Sequence, residues 1–356
     1  QVCPYSLTVP GGVQGQVLGL AAGLRAAGHQ VVVLAPCDGP PPDPGVRPLG
    51  RSVPLAANGS IAPIAPDLPC ALRTVAALRE EPFDVVHLQE PLVPGPTLTA
   101  LLYTEAAVVG TFHRSGPSTA YAALRPLVRR VARRLGVRAA VSAEAADTAR
   151  QALGGEYEMV FNAVDAAAFA AAPAWPKEAP TIFFIGRHEP RKGLAVLLEA
   201  YRRLPAGTRL WIAGDGPQTD ALRAASADLA GVEWLGRIGD SERASRMKGA
   251  DVFCAPSVRG ESFGMVLLEA MAAGTPVVAG ELAGYRNVVR TDAEGLLVPV
   301  EDPEALAGAL GRVLADDGLA SELARAGLAR AEELSMERLT RRYVELYGVA
   351  ARRIGA

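Results

Sequence analysis

Residues Ser257–Ala279 read SVRGESFGMVLLEAMAAGTPVVA, and the rest of the chain is organised around them. A turn holding Gly260 and Glu261 precedes an apolar run, Met265–Ala273, that has helical character and carries Glu269. If the helix begins near Phe263-Gly264, its first backbone N–H groups lack intrahelical partners, and the positive end of its dipole attracts an anion such as a diphosphate. Glu261 then lies in the loop before the helix, with Ser262, Phe263 and Gly264 at the turn itself. Glu269 lies about one and a half turns in, where it can accept hydrogen bonds from sugar hydroxyls. Two glutamates alone are more often surface decoration. This helix, however, is apolar nearly all round, and a carboxylate within a buried helix needs a partner. The arrangement suits a sugar nucleotide.

The flanking sequence repeats one plan. TIFFIGRHEPRKG (181–193) is an apolar strand followed by a loop with Arg187, Arg191 and Lys192, ahead of the helix LAVLLEAYRRL. Cations at a helix N-terminus oppose its dipole but suit a phosphate, which Arg grips with a planar fork and Lys meets as a point charge. RLWIAGDGP, a helix from about Gln218, VEWLG, a helix to Lys248 and DVFCAPS continue the alternation. Alternating strands and helices predict a parallel sheet. VVAG, the loop ELAGYR, a short strand at GLLVPV and two helices complete this half, the last helix running from Met336 to about Ile354. G-x-G-x-x-G is absent from the GDGP turn, so it is no dinucleotide fingerprint.

The first half opens the same way. QVC leads straight into a loop, as if the first strand were clipped and residues preceded Gln1. A helix over QVLGLAAGLRAAGH, stopped by Gly28, leads to the buried strand QVVVLAP. Gly11-Gly12 then falls at the crevice of a doubly wound α/β domain, where bare backbone can approach a phosphate; a plain turn explains the pair equally well. The prolines of residues 38–70 predict an irregular loop region. Leu72–Leu78 reads as a short helix. PFDVVHLQEP and AAVVGTFH read as strands whose ends bring His87, Gln89, Glu90 and His113 to one rim. In LRPLVRRVARRLGVR (124–138) an apolar stripe faces five arginines, a pattern that suits an anionic membrane surface and, more commonly, a packed helix with a solvated face. A helix over Ala143–Leu153 follows. The Ala/Pro stretch after FNAVD reads as the linker, with the boundary at residues 166–178.

The 356 residues suit about two domains. Hydrophobic residues make up 49% and charged residues 21%, as in globular proteins, and a net charge of −2 argues against bulk nucleic-acid binding. No run of 18 apolar residues offers a membrane span. The four cysteines, at 3, 37, 70 and 254, have neither metal nor redox spacing, and a reducing cytoplasm is the simplest setting.

Taken together, VPGG, FDVVH, TFH, FNAVD, GRHEPRKG, AGDGP, PSVRGESFGMVLLEAMAAGTPVVA and GLLVP resemble the retaining glycosyltransferases of family 4, across essentially the whole chain. The resemblance implies a GT-B fold of two Rossmann-like α/β domains facing a cleft. Residues 1–168 would form the acceptor-side domain, 174–336 the nucleotide-sugar domain, and 337–356 a helix crossing back onto the first. It implies that Arg187 and Lys192 neutralise the leaving diphosphate, which Gly11 and Gly12 face. Glu261 would hold the transferred sugar, Glu269 the ribose, and His113 would contact the sugar near the reacting carbon. Asp240 and Arg243 match positions that read guanine, where a carboxylate accepts from paired N–H groups that uracil lacks. Tyr5, Gln14 and Asn58 would line the acceptor pocket. The implied chemistry is metal-independent, with no Asp-x-Asp motif at a strand end, and uses same-face attack guided by the departing phosphate.

Within the family, CPYS, VPGGVQ and the NGS at 58–60 are similar to mannosyltransferases acting on inositol lipids. The implied donor is therefore GDP-mannose and the acceptor a phosphatidylinositol or another lipid-linked or inositol-type hydroxyl, at the inner face of the membrane. Departures stand beside this. IAPIAP follows NGS where those enzymes carry arginines; a lysine-rich helix is reduced to Arg73 and Arg79 beside Glu80 and Glu81; Gln89 replaces a common His, and Ala163 a common Gly. A UDP-sugar transferase with a soluble acceptor, a sugar-nucleotide epimerase and a non-catalytic nucleotide-sugar-binding protein are the rival readings.

Overall fold

The computed structural model describes residues 1–57, 60–114, 116, 125–290 and 292–353. The chain divides into two units, Gln1–Asn162 with Met336–Ala356, and Ala163–Ser335.

In the N-terminal unit, α1 (Gly12–Ala26) leads to β1 (Val33–Ala35) and β2 (Val46–Pro48), then to the ribbon β3 (Val53–Ala57) and β4 (Ser60–Ile64). There follow α2 (Leu68–Glu80), β5 (Val85–Gln89), α3 (Pro96–Tyr103), β6 (Ala107–Phe112), α4 (Arg125–Ala132), β7 (Val137–Ala140), α5 (Ala143–Leu153) and β8 (Glu158–Met159). β5 to β8 pair in parallel in chain order, and β1 pairs in parallel with β2. Val2 joins the two sets through parallel bridges to Leu34 and Leu88. Val2 is thus at the centre of the sheet, and strand order reverses on either side of it. The crevice of such a sheet lies beyond the strand ends at that reversal, where Gly11-Gly12 and Gln89-Glu90 are found.

The second unit holds α6 (Ala166–Ala171), β9 (Thr181–Ile185), a 3₁₀ turn (Pro190–Lys192), α7 (Leu194–Tyr201), β10 (Arg209–Ala213), α8 (Thr219–Ala225), β11 (Val232–Gly236), α9 (Asp240–Gly249) and β12 (Val252–Ala255). α10 (Met265–Ala272), β13 (Val277–Gly280), a second 3₁₀ turn (Tyr285–Asn287), β14 (Leu296–Val298), α11 (Pro303–Ala315) and α12 (Asp317–Glu333) complete it. The sheet order is β11-β10-β9-β12-β13-β14, all parallel. Helices cover both faces, so β9, β12 and β13 are buried almost without a break and read as continuous apolar runs. Phe183 and Phe253 meet edge to face at 5.9 Å inside this core.

The last helix, α13 (Met336–Arg352), returns to the N-terminal unit and buries Leu339, Tyr343 and Leu346. Gly19 and Gly23 of α1 admit it closely: a Cβ on either would stand 2.5 Å from Met336 Cε or 2.2 Å from Thr340 Oγ1.

Several expectations need correction. The proline-rich stretch contains a two-stranded antiparallel ribbon in which Pro54 faces Pro63, because two prolines in register spoil the same rungs of the ladder rather than different ones. α2 begins at Leu68, four residues early, since Asp67 caps it by accepting from Cys70 N. The expected linker contains α6, capped by Asp165 and packed within the second unit, and the units divide at Asn162/Ala163 rather than within 166–178. Two helices were expected after GLLVPV, but Asp316 ends one and caps the next, making three. The basic helix is shorter than 124–138, and Arg129, Arg134 and Arg138 spend their guanidinium groups on backbone carbonyls of Ala152, Leu101, Thr104, Gly154 and Ala132. Arg130 and Arg133 stay exposed, so a reduced cationic face remains.

Candidate active site

In the second unit the strand order reverses between β9 and β12, so the loops after these two strands share one crevice. They are stitched together. Val258 N donates to Arg191 O at 2.8 Å. Gly193, at φ 68°, lies so close to Pro256 O that a Cβ would stand 1.9 Å away. A left-handed, side-chain-free residue is what lets the Arg191-Lys192 turn rest on the other loop.

This stitching brings the predicted pair together. Lys192 Nζ donates to Glu261 Oε1 at 2.5 Å, Ser257 Oγ donates to the same oxygen at 3.0 Å, and Arg191 NH1 stands 3.5 Å from it. Tyr285 OH donates to Ser257 Oγ at 2.9 Å, and burial pushes that phenol far above its ordinary pKa, so it stays a donor. Glu189 bridges the two flanking arginines, at 2.8 Å from Arg187 Nε and 2.9 Å from Arg191 Nε. The lysine read as a phosphate ligand and the carboxylate read as a sugar ligand thus occupy each other. Glu189, Ser257 and Tyr285 were missed by the sequence reading, being residue types with no signature of their own; the PS before Val258 and the strand-end position of Ser257 were the available hints.

α10 starts at Met265, with Gly264 as its N-cap at φ 101° and no side-chain cap. Tyr285 leaves no room there, its Cδ1 lying 2.8 Å from where a Cβ would be. Ser262 is exposed, while the Phe263 ring is buried and leaves only its backbone for a ligand. Glu269 lies in the second turn of the helix. Its Oε1 is 3.5 Å from Arg243 NH1, and Arg243 NH2 is 3.2 Å from Asp240 Oδ1. Glu269 Oε2 is buried with no partner, and burial raises its pKa against the pull of Arg243. A buried oxygen left open in this way is an acceptor waiting for a donor.

In the N-terminal unit Gly11 is the N-cap of α1, and Gly12 its first residue, with open space where a Cβ would be. Gln14 folds over Gly11 and donates to Ser6 O at 3.4 Å. Tyr5 bridges Ile64. Asn58 lies outside the described residues. His113 follows β6, and its Nε2 meets Gln89 Oε1 at 2.6 Å. Burial lowers its pKa to about 4, so the imidazole is neutral near pH 7. Glu90, at φ 49°, aims its carboxylate at the backbone of the next strand end, accepting from His113 N at 2.5 Å and Arg114 N at 2.6 Å. His87, expected at the same rim, is instead inside β5 and bonded to α13: it shares a strand face with Gln89, two residues on, but Tyr347 of the returning helix takes its Nδ1.

Residues 10–168 match the family described as Glycosyltransferase Family 4, and residues 179–316 match Glycosyl transferases group 1. A phosphatidyl-myo-inositol mannosyltransferase of Mycolicibacterium smegmatis is 43% identical over 93% of this chain and 87% of its own length. The chain belongs to glycosyltransferase family 4. A protein of the same description from Mycobacterium tuberculosis is 39% identical over 98% of this chain and 96% of its own. Among solved structures, a sucrose-phosphate synthase from Thermosynechococcus elongatus superposes with a TM-score of 0.76 at 22% identity, covering 97% of each chain. A glycosyltransferase from Rickettsia africae gives 0.76 at 18%, covering 98% of this chain and 97% of its own. These two similarities establish the fold alone, the two-domain α/β GT-B fold. Family membership makes this glycosyltransferase a nucleotide-sugar enzyme. Among the described residues no helix is long and apolar enough to cross a membrane.

Proposed function

We propose that this glycosyltransferase moves mannose from GDP-mannose to an inositol hydroxyl of phosphatidylinositol, with retention at the anomeric carbon. The observation that carries the reading is the Lys192–Glu261 pair at the strand-order reversal of the second unit, in a chain 43% identical to a phosphatidyl-myo-inositol mannosyltransferase. When donor binds, Lys192 transfers its hydrogen bonds to the diphosphate, assisted by Arg187 and the positive end of α10. Glu261, released, accepts from hydroxyls of the mannose. The open Glu269 Oε2 accepts from the ribose. Asp240, 94% exposed at its side chain and steered by Arg243, accepts from the paired N–H groups of guanine. His113 is assigned to the transferred sugar, and Tyr5, Gln14 and Asn58 to the acceptor.

Breaking the sugar–phosphate bond leaves negative charge on the diphosphate, and preorganised cations stabilise it as it forms. The acceptor hydroxyl attacks the same face, its proton taken by the departing phosphate, which no protein base need assist. Membrane contact is assigned to exposed apolar side chains on the ribbon and α2, Val53 at 51%, Leu55 at 52%, Leu68 at 70% and Leu72 at 61%.

The test is transfer of radiolabelled mannose from GDP-mannose to phosphatidylinositol in mixed micelles, paired with thermal shifts in GDP, UDP and ADP. Labelled lipid and stabilisation by GDP are expected. Stabilisation by UDP alone overturns the donor, and hydrolysis of GDP-mannose with no labelled lipid overturns the acceptor.

A further inference from the structure

A hydrogen-bonded chain buried in the N-terminal unit links α13 to His113. Tyr347 OH meets His87 Nδ1 at 2.8 Å; His87 Nε2 meets Thr111 Oγ1 at 2.7 Å and Gln89 Nε2 at 3.3 Å; and Tyr343 OH meets Thr111 Oγ1 at 2.8 Å. Gln89 Oε1 then meets His113 Nε2 at 2.6 Å. Burial leaves both imidazoles neutral, so each ring carries one N–H and one acceptor nitrogen. One proton arrangement satisfies every bond of the chain: Thr111 and Gln89 donate to His87 Nε2, His87 Nδ1–H donates to Tyr347, and His113 Nε2–H donates to Gln89 Oε1. Turning the Gln89 amide over would ask His87 Nε2 to donate to Thr111 and Gln89 at once, and a neutral ring nitrogen carries only one proton. The Gln89 contacts agree, 2.6 Å where its oxygen accepts and 3.3 Å where its nitrogen donates.

We infer that Gln89, its amide oriented by His87 and through it by the tyrosines of α13, holds His113 as the Nε2–H tautomer, so that the ring presents Nδ1 as a hydrogen-bond acceptor. The imidazole then recognises a hydroxyl rather than a phosphate oxygen. Gln89 is a positioning residue in this scheme, acting through His113. The inference rests on the reading of His113 as contacting the transferred sugar, but the tautomer itself can be read without turnover.

The chain has four histidines, His29, His87, His113 and His188, few enough to assign in a spectrum of protein labelled with ¹⁵N-histidine. The charged or titratable groups around His113 are His87, Glu90, Arg114 and Tyr343. For the wild type at pH 7, a pyrrole-like Nε2 and a pyridine-like Nδ1 are expected for His113. The opposite pattern, or averaging between the two, overturns the inference. Gln89→Leu is expected to let the ring average between tautomers and to lower kcat roughly tenfold, the worth of one hydrogen bond, with the KM for donor little changed. A spectrum identical to wild type means that Gln89 is not what sets the tautomer. Gln89→Glu keeps an acceptor for Nε2–H and adds a charge. The wild-type tautomer should persist in it, with the His113 titration moved upward, and an unmoved titration overturns the contact. Failure of mannose transfer with the wild-type spectrum as expected would sink the proposed function and leave the tautomer standing.

Discussion

Replacing Lys192 by Met keeps an unbranched side chain, one atom shorter, and removes its charge. Lys192 and Glu261 are 17% and 13% exposed at their side chains, so the change removes a partly buried partner. Glu261 is not abandoned, because Ser257 and Arg191 remain at 3.0 and 3.5 Å. Loss of fold stability is therefore about 1–2 kcal/mol, below the ~3–5 kcal/mol of a buried pair broken with no substitute. Catalysis suffers more. Removing one preorganised group that stabilises the developing charge lowers kcat by about 10²–10³, while ground-state affinity for GDP, which Arg187 and the helix terminus share, falls about tenfold or less. Steady-state transfer assays across donor concentration, with calorimetry of GDP binding, separate the two effects. A variant within fivefold of wild-type kcat refutes the assignment of Lys192 to the leaving diphosphate. A variant that loses affinity and kcat in equal proportion shows Lys192 to be a binding residue only.

Gly193→Ala forces a Cβ to 1.9 Å from Pro256 O in left-handed backbone and should destabilise the second unit by about 2–4 kcal/mol, read by urea unfolding; an unchanged midpoint would mean that the two loops are not stitched as described. Glu269→Gln removes a carboxylate whose ionised form burial disfavours; melting temperature at pH 7 should rise by a degree or more while GDP affinity falls several-fold, and a fall in both would show Glu269 to be structural. Acid should destabilise the fold through His113. Its pKa is about 4 in the fold against an ordinary 6.5, so the unfolded chain binds the extra proton. Stability is then complete above about 6.5 and is lost as pH falls toward 4, by about 1–3 kcal/mol. His113→Gln should flatten that dependence in urea midpoints measured from pH 7 to 5, and an identical slope in the variant contradicts the burial of the neutral ring.

Most of the second unit was legible because its signals are local. Apolar strands, Gly turns and cations at strand ends each declare themselves within a few residues, and chain order then supplied the parallel sheet. What escaped depends on partners far along the chain. Val2 pairs with strands on both sides, yet one residue has no periodicity to read. His87 had the same strand-end look as His113, and only the return of α13 makes it a structural ligand. The ribbon over 53–64 was hidden by proline, whose veto on the ladder fails when two prolines face each other. α6 was legible and overlooked, since Asp165 before an alanine run is a cap before the best helix former. In the site, the sequence reading paired each charged residue with a ligand group, whereas the folded chain pairs Lys192 with Glu261.

The return of α13 also orders the birth of the protein. During synthesis, residues 1–162 leave the ribosome early, yet the helix that covers β6 and satisfies His87 and Thr111 is made only after the whole second unit. The second unit, continuous from Ala163 to Ser335, has everything it needs before then. The half of the chain translated first is therefore the half completed last, with a buried imidazole and a threonine hydroxyl unpartnered from α13 in the interval, and a nascent chain stalled before Met336 would be a natural client for chaperones.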